Sequence, residues 1–359
     1  MAGYRSQRGF DHVRAPLVVV FGTLPPPLHG ASRVTELVTA ALHREPIRLR
    51  VLDVNVDARN PARYHPLRIA KHVHGWLALV PLARRGPRTL YITGAGGLAL
   101  WYQYVTVLWA TRLGFRVVLH HHSFAPINNR SRALERITRI RRGDIVHIVL
   151  CARMRRLLHE RYGEHVDARI CSNRELIPSG PRRPRRDPDA PIVLGHLSNL
   201  TVDKGLGRVL ETVRALRAAG EDIRCVLAGP TVTASDRALL DDALARDPDV
   251  LSYRGALRPD QVPGFFAGID LFLFPSEYRH EAEPLVVLEA AAAGVPAVTS
   301  AVGCLPETVV APGIAVGADD DFATQVRAAL ARIRDSGTRD ALPVVTGGRP
   351  RILDVLTEA

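Results

Sequence analysis

Short, nearly continuous apolar runs alternate along this chain with longer stretches in which apolar residues recur at helical spacing. In the first half the apolar runs fall at 16–22 (PLVVVFG), 47–54, 89–94, 115–121 and 144–150, with a shorter sixth at 168–172. Helical patterns occupy 31–44, 97–113, 131–142 and 152–163 between them. Runs that are β-branched and apolar on both sides, rather than alternating, predict parallel strands covered on both faces by helices.

The alternation stops at PSGPRRPRRDPDAP (178–191), which holds no Val, Leu or Ile and is dense in Pro and Arg, the composition of a linker. It then restarts, with strands expected at 191–199, 223–230, 250–255, 270–276 and 296–301 and helices at 204–219, 233–246, 259–267 and 284–293. Two helical segments, around 320–335 and 349–357, close the chain. The pattern predicts an α/β protein of two doubly wound, Rossmann-like domains: residues 1–180, a hinge over 181–190, residues 191–340, and a C-terminal helical segment over 341–359. Ligands of such sheets sit outside the carboxyl ends of the strands, which here means a cleft between the domains.

Composition adds a charge asymmetry. The 359 residues are 47% hydrophobic and carry a net charge of +12. Residues 1–180 hold 28 Lys+Arg against 11 Asp+Glu, or +17, and residues 181–359 hold 20 against 25, or −5. A basic first half suits an anionic acceptor or peripheral contact with an anionic membrane, although arginine-rich solvated helix faces give the same sum. Nucleic acid is not expected, since no RNP or KH signature occurs. The longest apolar stretch, 96–114, is interrupted by Gln103, Thr106 and Arg112, and the basic head of the chain runs into a glycine turn as a first strand rather than a signal peptide. Segment 71–86 has basic ends and an apolar middle. It reads as a helix packed on the first sheet or as a contact with the inner face of a membrane. Four dispersed cysteines (Cys151, Cys171, Cys225, Cys304) without a CxxC pair predict a reduced, cytoplasmic protein.

Three short stretches carry candidate chemistry. In FGTLPPPLHGAS the prolines stiffen the first strand–helix turn, and Gly30 lets backbone approach an anion at the helix amino end; GxGxxG is absent. In HLSNLTVDKGLGRVLE, Lys204-Gly205 stands where a helix begins, and Lys204 is the only lysine of the second half. A point charge beside free helix amides makes a phosphate site. In EAEPLVVLEAAAAG, Pro284 is expected at the first helical position and Gly294 past the end. Glu281 then lies in the preceding loop and Glu289 on the helix, where carboxylates accept paired hydrogen bonds from vicinal hydroxyls. The triple histidine at 120–122 is not expected to hold a metal, because consecutive strand residues point to opposite faces.

Taken in order and spacing, LSNLTVDKG, LAGP, YRG, DLFLFPS and EAEPLVVLEAAAAGVPAVTS resemble the donor half of glycosyltransferase family 4, whose members are retaining enzymes of GT-B fold. The match runs strongly over 192–308 and more loosely from residue 16. The resemblance implies two Rossmann-like domains facing a cleft, with the closing helix returning to the first domain. It implies a nucleotide-sugar donor, UDP favoured, no metal or other cofactor, and a hydroxyl acceptor in glycan, glycolipid or natural-product biosynthesis. It assigns Glu281 to the donor sugar, Glu289 to the ribose, Lys204 to the diphosphate with Gly30 beside it, and His122 (His120 as alternative) to the reacting sugar carbon. Asn199, Gly205, Arg208, Gly229, Ala282, Pro284 and Leu285 complete the donor-binding set. Two positions depart from the family pattern. Asn199 stands where many members have Arg, shifting weight to Lys204 and backbone amides or to Arg208, and Glu283 replaces an aromatic residue or glycine, which leaves open whether the sugar pocket is altered. The competing reading is a basic membrane- or polyanion-binding protein with an inactive GT-B fold; a phosphorylase or epimerase would carry other signatures.

Overall fold

The computed structural model describes residues 15–26, 29–56, 61–84, 86–94, 96–141, 143–178, 187, 189–309, 314–317, 321–336 and 350–358. Residues 181–186 and 188 of the expected hinge, and 341–349 of the C-terminal segment, lie outside them. The chain divides into two compact units.

Unit 1 comprises residues 1–149, 155–171 and 349–359. Its elements in chain order are β1 (Leu17–Gly22), α1 (Gly30–Leu42), β2 (Arg48–Asp53), α2 (Pro61–Leu82), β3 (Arg88–Thr93), α3 (Ala99–Arg112), β4 (Arg116–His120), α4 (Ala125–Asn128), α5 (Arg132–Thr138), β5 (Ile145–Val149), α6 (Ala152–Tyr162) and β6 (Asp167–Ile170). The six strands form one parallel sheet in the order β2-β1-β3-β4-β5-β6. Every residue of β1 is buried, as continuous apolar sequence requires of a doubly covered strand, whereas the edge strand β2 is half exposed.

Unit 2 holds 150–154 and 172–348. Here a 3-10 turn (Asn173–Leu176) precedes β7 (Ile192–Leu197), α7 (Leu206–Ala218), β8 (Ile223–Ala228), α8 (Ala234–Arg246), β9 (Leu251–Tyr253), α9 (Val262–Ala267), β10 (Leu271–Phe274), α10 (Leu285–Ala292), β11 (Ala297–Ser300), α11 (Leu305–Thr308), β12 (Ile314–Val316) and α12 (Phe322–Ser336). Its parallel sheet runs β12-β11-β10-β7-β8-β9. Two apolar clusters sandwich it, one built on Leu194, Leu227 and Leu273 with α7 and α12, the other on Phe265, Phe272 and Phe274 with α9 and α10. The last helix, α13 (Arg351–Thr357), belongs to unit 1, as the resemblance implied. It buries Ile352, Leu353, Val355 and Leu356, while Arg116 donates to the Val355 carbonyl and pairs with Glu358 at 2.8 Å.

The structure corrects several expectations. Helix α2 runs unbroken through Pro66, Gly75 and Pro81, which mask its periodicity in the sequence. Helix α7 starts at Leu206, leaving Lys204 in the preceding turn, and Pro284 is the extended N-cap of α10 rather than its first residue. The cysteines are not four separate thiols: Cys151 and Cys304, 153 residues apart, form a disulfide, while Cys171 and Cys225 are buried and outside any disulfide. Distance in sequence hid that pair.

Candidate functional site

In unit 2, β7 lies between β8 and β10, so connections leave it in opposite directions and a crevice opens at the carboxyl ends of β7 and β10. The loop after β7 turns at Thr201, whose carbonyl accepts from the Lys204 and Leu206 amides. Gly205 then caps α7 with φ +87°, and a Cβ built there would lie 2.3 Å from the Pro275 carbonyl oxygen. Only glycine allows the two loops to meet that closely. The Glu277 amide donates to the Asp203 carbonyl at 2.8 Å and ties the β10 loop to the same turn.

Across this junction Lys204 Nζ donates to Glu281 Oε2 at 2.6 Å, and Ser276 Oγ donates to the same oxygen at 3.0 Å. The ammonium also stands 4.8 Å from the centre of the Tyr278 ring. Glu281 is only 8% exposed, so its charge is held by Lys204 and Ser276 in a largely dry place. Lys204 is one of two lysines in the whole chain. Ser276 and Tyr278 were not singled out in the sequence; their only signal was nearness to Glu281.

The other unit 2 residues of the expected donor set lie on loops and helices that follow strands of the same sheet. Leu285 and Glu289 are one turn apart on α10 and so share a face. Gly229 follows β8 at φ +119°, where a Cβ would stand 1.7 Å from the Ser198 carbonyl oxygen. Asn199 is exposed, and its carbonyl accepts from the Thr201 amide at 2.8 Å and from Ser198 Oγ at 2.9 Å. Arg208 lies in the first turn of α7, 3.7 Å from Glu277 and stacked over Phe322. Ala282 is buried and accepts the Cys304 amide.

Glu283, the second departure from the family pattern, does not join the pair. Its carboxylate accepts from Ser172 Oγ at 2.6 Å, the Asn173 amide at 2.7 Å and Thr308 Oγ1 at 3.3 Å. Burial raises its pKa against the pull of these donors. The side chain fastens the segment after β6 to α10 and α11, a structural task.

In unit 1, Gly30 is the first residue of α1 and has open space where a Cβ would be. His29 caps the helix: its Nδ1 accepts from the Ser32 amide at 3.2 Å and Ser32 Oγ accepts from the His29 amide at 3.0 Å. Strand β4 ends at His120, with His122 two residues on and its ring 4.0 Å away on the same side. His121 points the other way and bonds His147 Nδ1 at 2.9 Å. The three rings therefore split between two faces, as strand alternation requires. His120 Nδ1 meets the Tyr91 hydroxyl at 2.9 Å, while the Nε2 atoms of His120 and His122 are buried with no partner among the described residues. Burial, with His121 and His29 adding like charge, pushes the His122 pKa down to about 3, so its imidazole is neutral near pH 7.

Residues 191–333 match the family described as glycosyl transferases group 1, the segment that holds every unit 2 residue named above from Ser198 on. No curated protein matches the chain. Among solved structures, HepE from Anabaena, crystallised with UDP, aligns at 15% identity and TM-score 0.68 over 95% of this chain and 99% of its own. Sucrose-phosphate synthase from Thermosynechococcus elongatus aligns at 18% and 0.61 over 96% of each chain. WaaG, a glycosyltransferase involved in lipopolysaccharide biosynthesis, aligns at 17% and 0.60 over 96% of this chain and all of its own. The fold is GT-B. Within GT-B, Lys204 and Glu281 occupy the carboxyl-end crevice of the second Rossmann-like sheet, and His122 the strand end of the first.

Proposed function

We propose that this chain is a retaining glycosyltransferase that moves a sugar from a nucleoside-diphosphate donor, UDP favoured, to a hydroxyl acceptor without a metal. The observation that carries the reading is the Lys204–Glu281 pair, set at the carboxyl ends of β7 and β10 beside the amino end of α7. An ammonium and the open amides of a helix amino end are suited to the charge that grows on a leaving diphosphate. Glu281 holds Nζ in place until a donor phosphate takes it over. The freed carboxylate can then accept from sugar hydroxyls, while Glu289, one turn into α10, accepts from the ribose. HepE has also been crystallised with UDP-glucose, which favours a UDP-sugar as the first donor to try.

In the transfer step the bond from the anomeric carbon to the diphosphate oxygen breaks and the bond to the acceptor oxygen forms on the same face. The departing phosphate takes the acceptor proton, and the neutral His122, two residues past β4, is assigned to placing the donor sugar.

Calorimetric binding of UDP, GDP and dTDP sugars, followed by donor hydrolysis, tests this. Lys204→Ala and Glu289→Ala should each weaken UDP-sugar binding by about tenfold or more. Lys204→Ala should also cost about 1–3 kcal/mol of stability, because Glu281 loses its cationic partner. Activity should survive EDTA. Unchanged donor binding in both variants would remove the assigned site.

A further inference from the structure

Two neighbouring helices of unit 1 carry apolar residues on the side away from the sheet. On α2, His72, Gly75 and Leu79 are buried, and a Cβ at Gly75 would press on the Phe21 ring at 2.5 Å. Its outer side shows Ile69, Val73, Leu77 (64% exposed) and Val80, the i, i+4, i+8, i+11 spacing of one helical stripe. On α3, Trp101, Val105 and Trp109 form a second exposed stripe at i, i+4, i+8, preceded by Leu98 at 78% exposure. The helices lie side by side, since Trp76 Nε1 donates to Thr106 Oγ1 and Trp109 Nε1 to the Trp76 carbonyl, both at 2.9 Å. The two stripes are therefore parts of one face rather than scattered single residues.

The charge carried by these two helices is of one sign. From Ala58 to Leu134 the chain contains no Asp or Glu, against ten arginines and one lysine. Arg63, Lys71 and Arg84 on and after α2, and Arg112 on α3, are exposed, and Arg136 stacks on Trp101 at 4.8 Å. Among the described residues, no helix is long and apolar enough to cross a membrane.

We propose that the α2–α3 face seats on the surface of an anionic lipid bilayer, with its aliphatic stripe and tryptophans in the headgroup boundary and its arginines against lipid phosphates. Tryptophans beside an exposed aliphatic stripe, on two helices that carry basic but no acidic residues, are the features that a lipid interface rewards. A second copy of the same face would set arginine against arginine, and a nucleic acid would have no use for the aliphatic stripe. The inference rests on unit 1 alone and is independent of the donor chemistry proposed above.

Sedimentation of the full chain with vesicles tests it, using phosphatidylcholine alone and phosphatidylcholine mixed with phosphatidylglycerol, at low and high salt. The chain should bind the mixed vesicles, with tryptophan emission moving to the blue, and bind the neutral ones far less. The combined Ile69→Gln, Val73→Gln, Leu77→Gln variant should bind about tenfold more weakly or worse. Arg63→Gln with Lys71→Gln should also bind about tenfold more weakly, a difference that disappears in high salt. Melting temperature and nucleotide binding should be unchanged in all variants, which separates failure here from failure of the donor site. The proposal falls if the parent ignores anionic vesicles, if the triple variant binds like the parent, or if the variant instead abolishes a dimer seen without lipid.

Discussion

At the scale of single residues the chain places its charges where neighbours hold them. Lys204 and Glu281 were each legible, one by its rarity among arginines and one by its motif, but their 2.6 Å contact was not, because 77 residues separate them. Glu283 shows the opposite limit. Its nearness in sequence suggested a place beside Glu281, and two residues apart in an extended segment would share a side, yet its carboxylate is held by Ser172, Asn173 and Thr308. The histidines yield a pH prediction. Burial lowers His121 and His196 to about 4 and His122 to about 3, below the ordinary 6.5. The unfolded chain therefore binds more protons between those values, and stability rises with pH there. The contribution of each neutral imidazole is complete above about 6.5 and is lost as pH falls toward the folded value. Thermal melts from pH 7 down to 4 should show a falling midpoint, with a shallower fall in His122→Gln; an unaltered slope in that variant would contradict the assignment.

At the scale of elements, long amphipathic or continuously apolar segments were readable and interrupted ones were not. The strands from 16 to 301 stand where apolar runs predicted them, because a parallel strand covered on both faces is mostly apolar. Helix α2 escaped a reading as one helix since prolines and a glycine break its pattern, and tertiary packing on Phe21 and Thr106 overrides them. The short α11 and β12 carry too few residues for any period to show. Two glycines at element ends separate backbone need from ligand need. Gly229→Ala, just past β8, should cost more than about 4 kcal/mol or prevent folding, since the φ is positive and the Ser198 carbonyl fills the space. Gly30→Ala, opening α1 with nothing nearby, should stay within about 1 kcal/mol of the parent yet weaken nucleotide-sugar binding if backbone approach matters there. Chemical denaturation and calorimetry on the pair check both halves.

At the scale of the whole molecule, the chain closes unit 1 with its own end: α13 adds four buried apolar side chains, and Glu358 pairs with Arg116 and Arg169. The disulfide is also a property of this scale. Thiol titration in denaturant should find two free groups before reduction and four after; four before reduction would rule out the Cys151–Cys304 bond. By itself the sequence determined the class of fold, two sheets with their strand and helix order, and the charge division, because periodicity and composition act locally and add along the chain. Only tertiary structure decided which charges meet, which cysteines pair, which way Glu283 turns and which side of α2 and α3 faces water. Those are contacts between residues tens to hundreds of positions apart, and their geometry is set by packing rather than by any local preference.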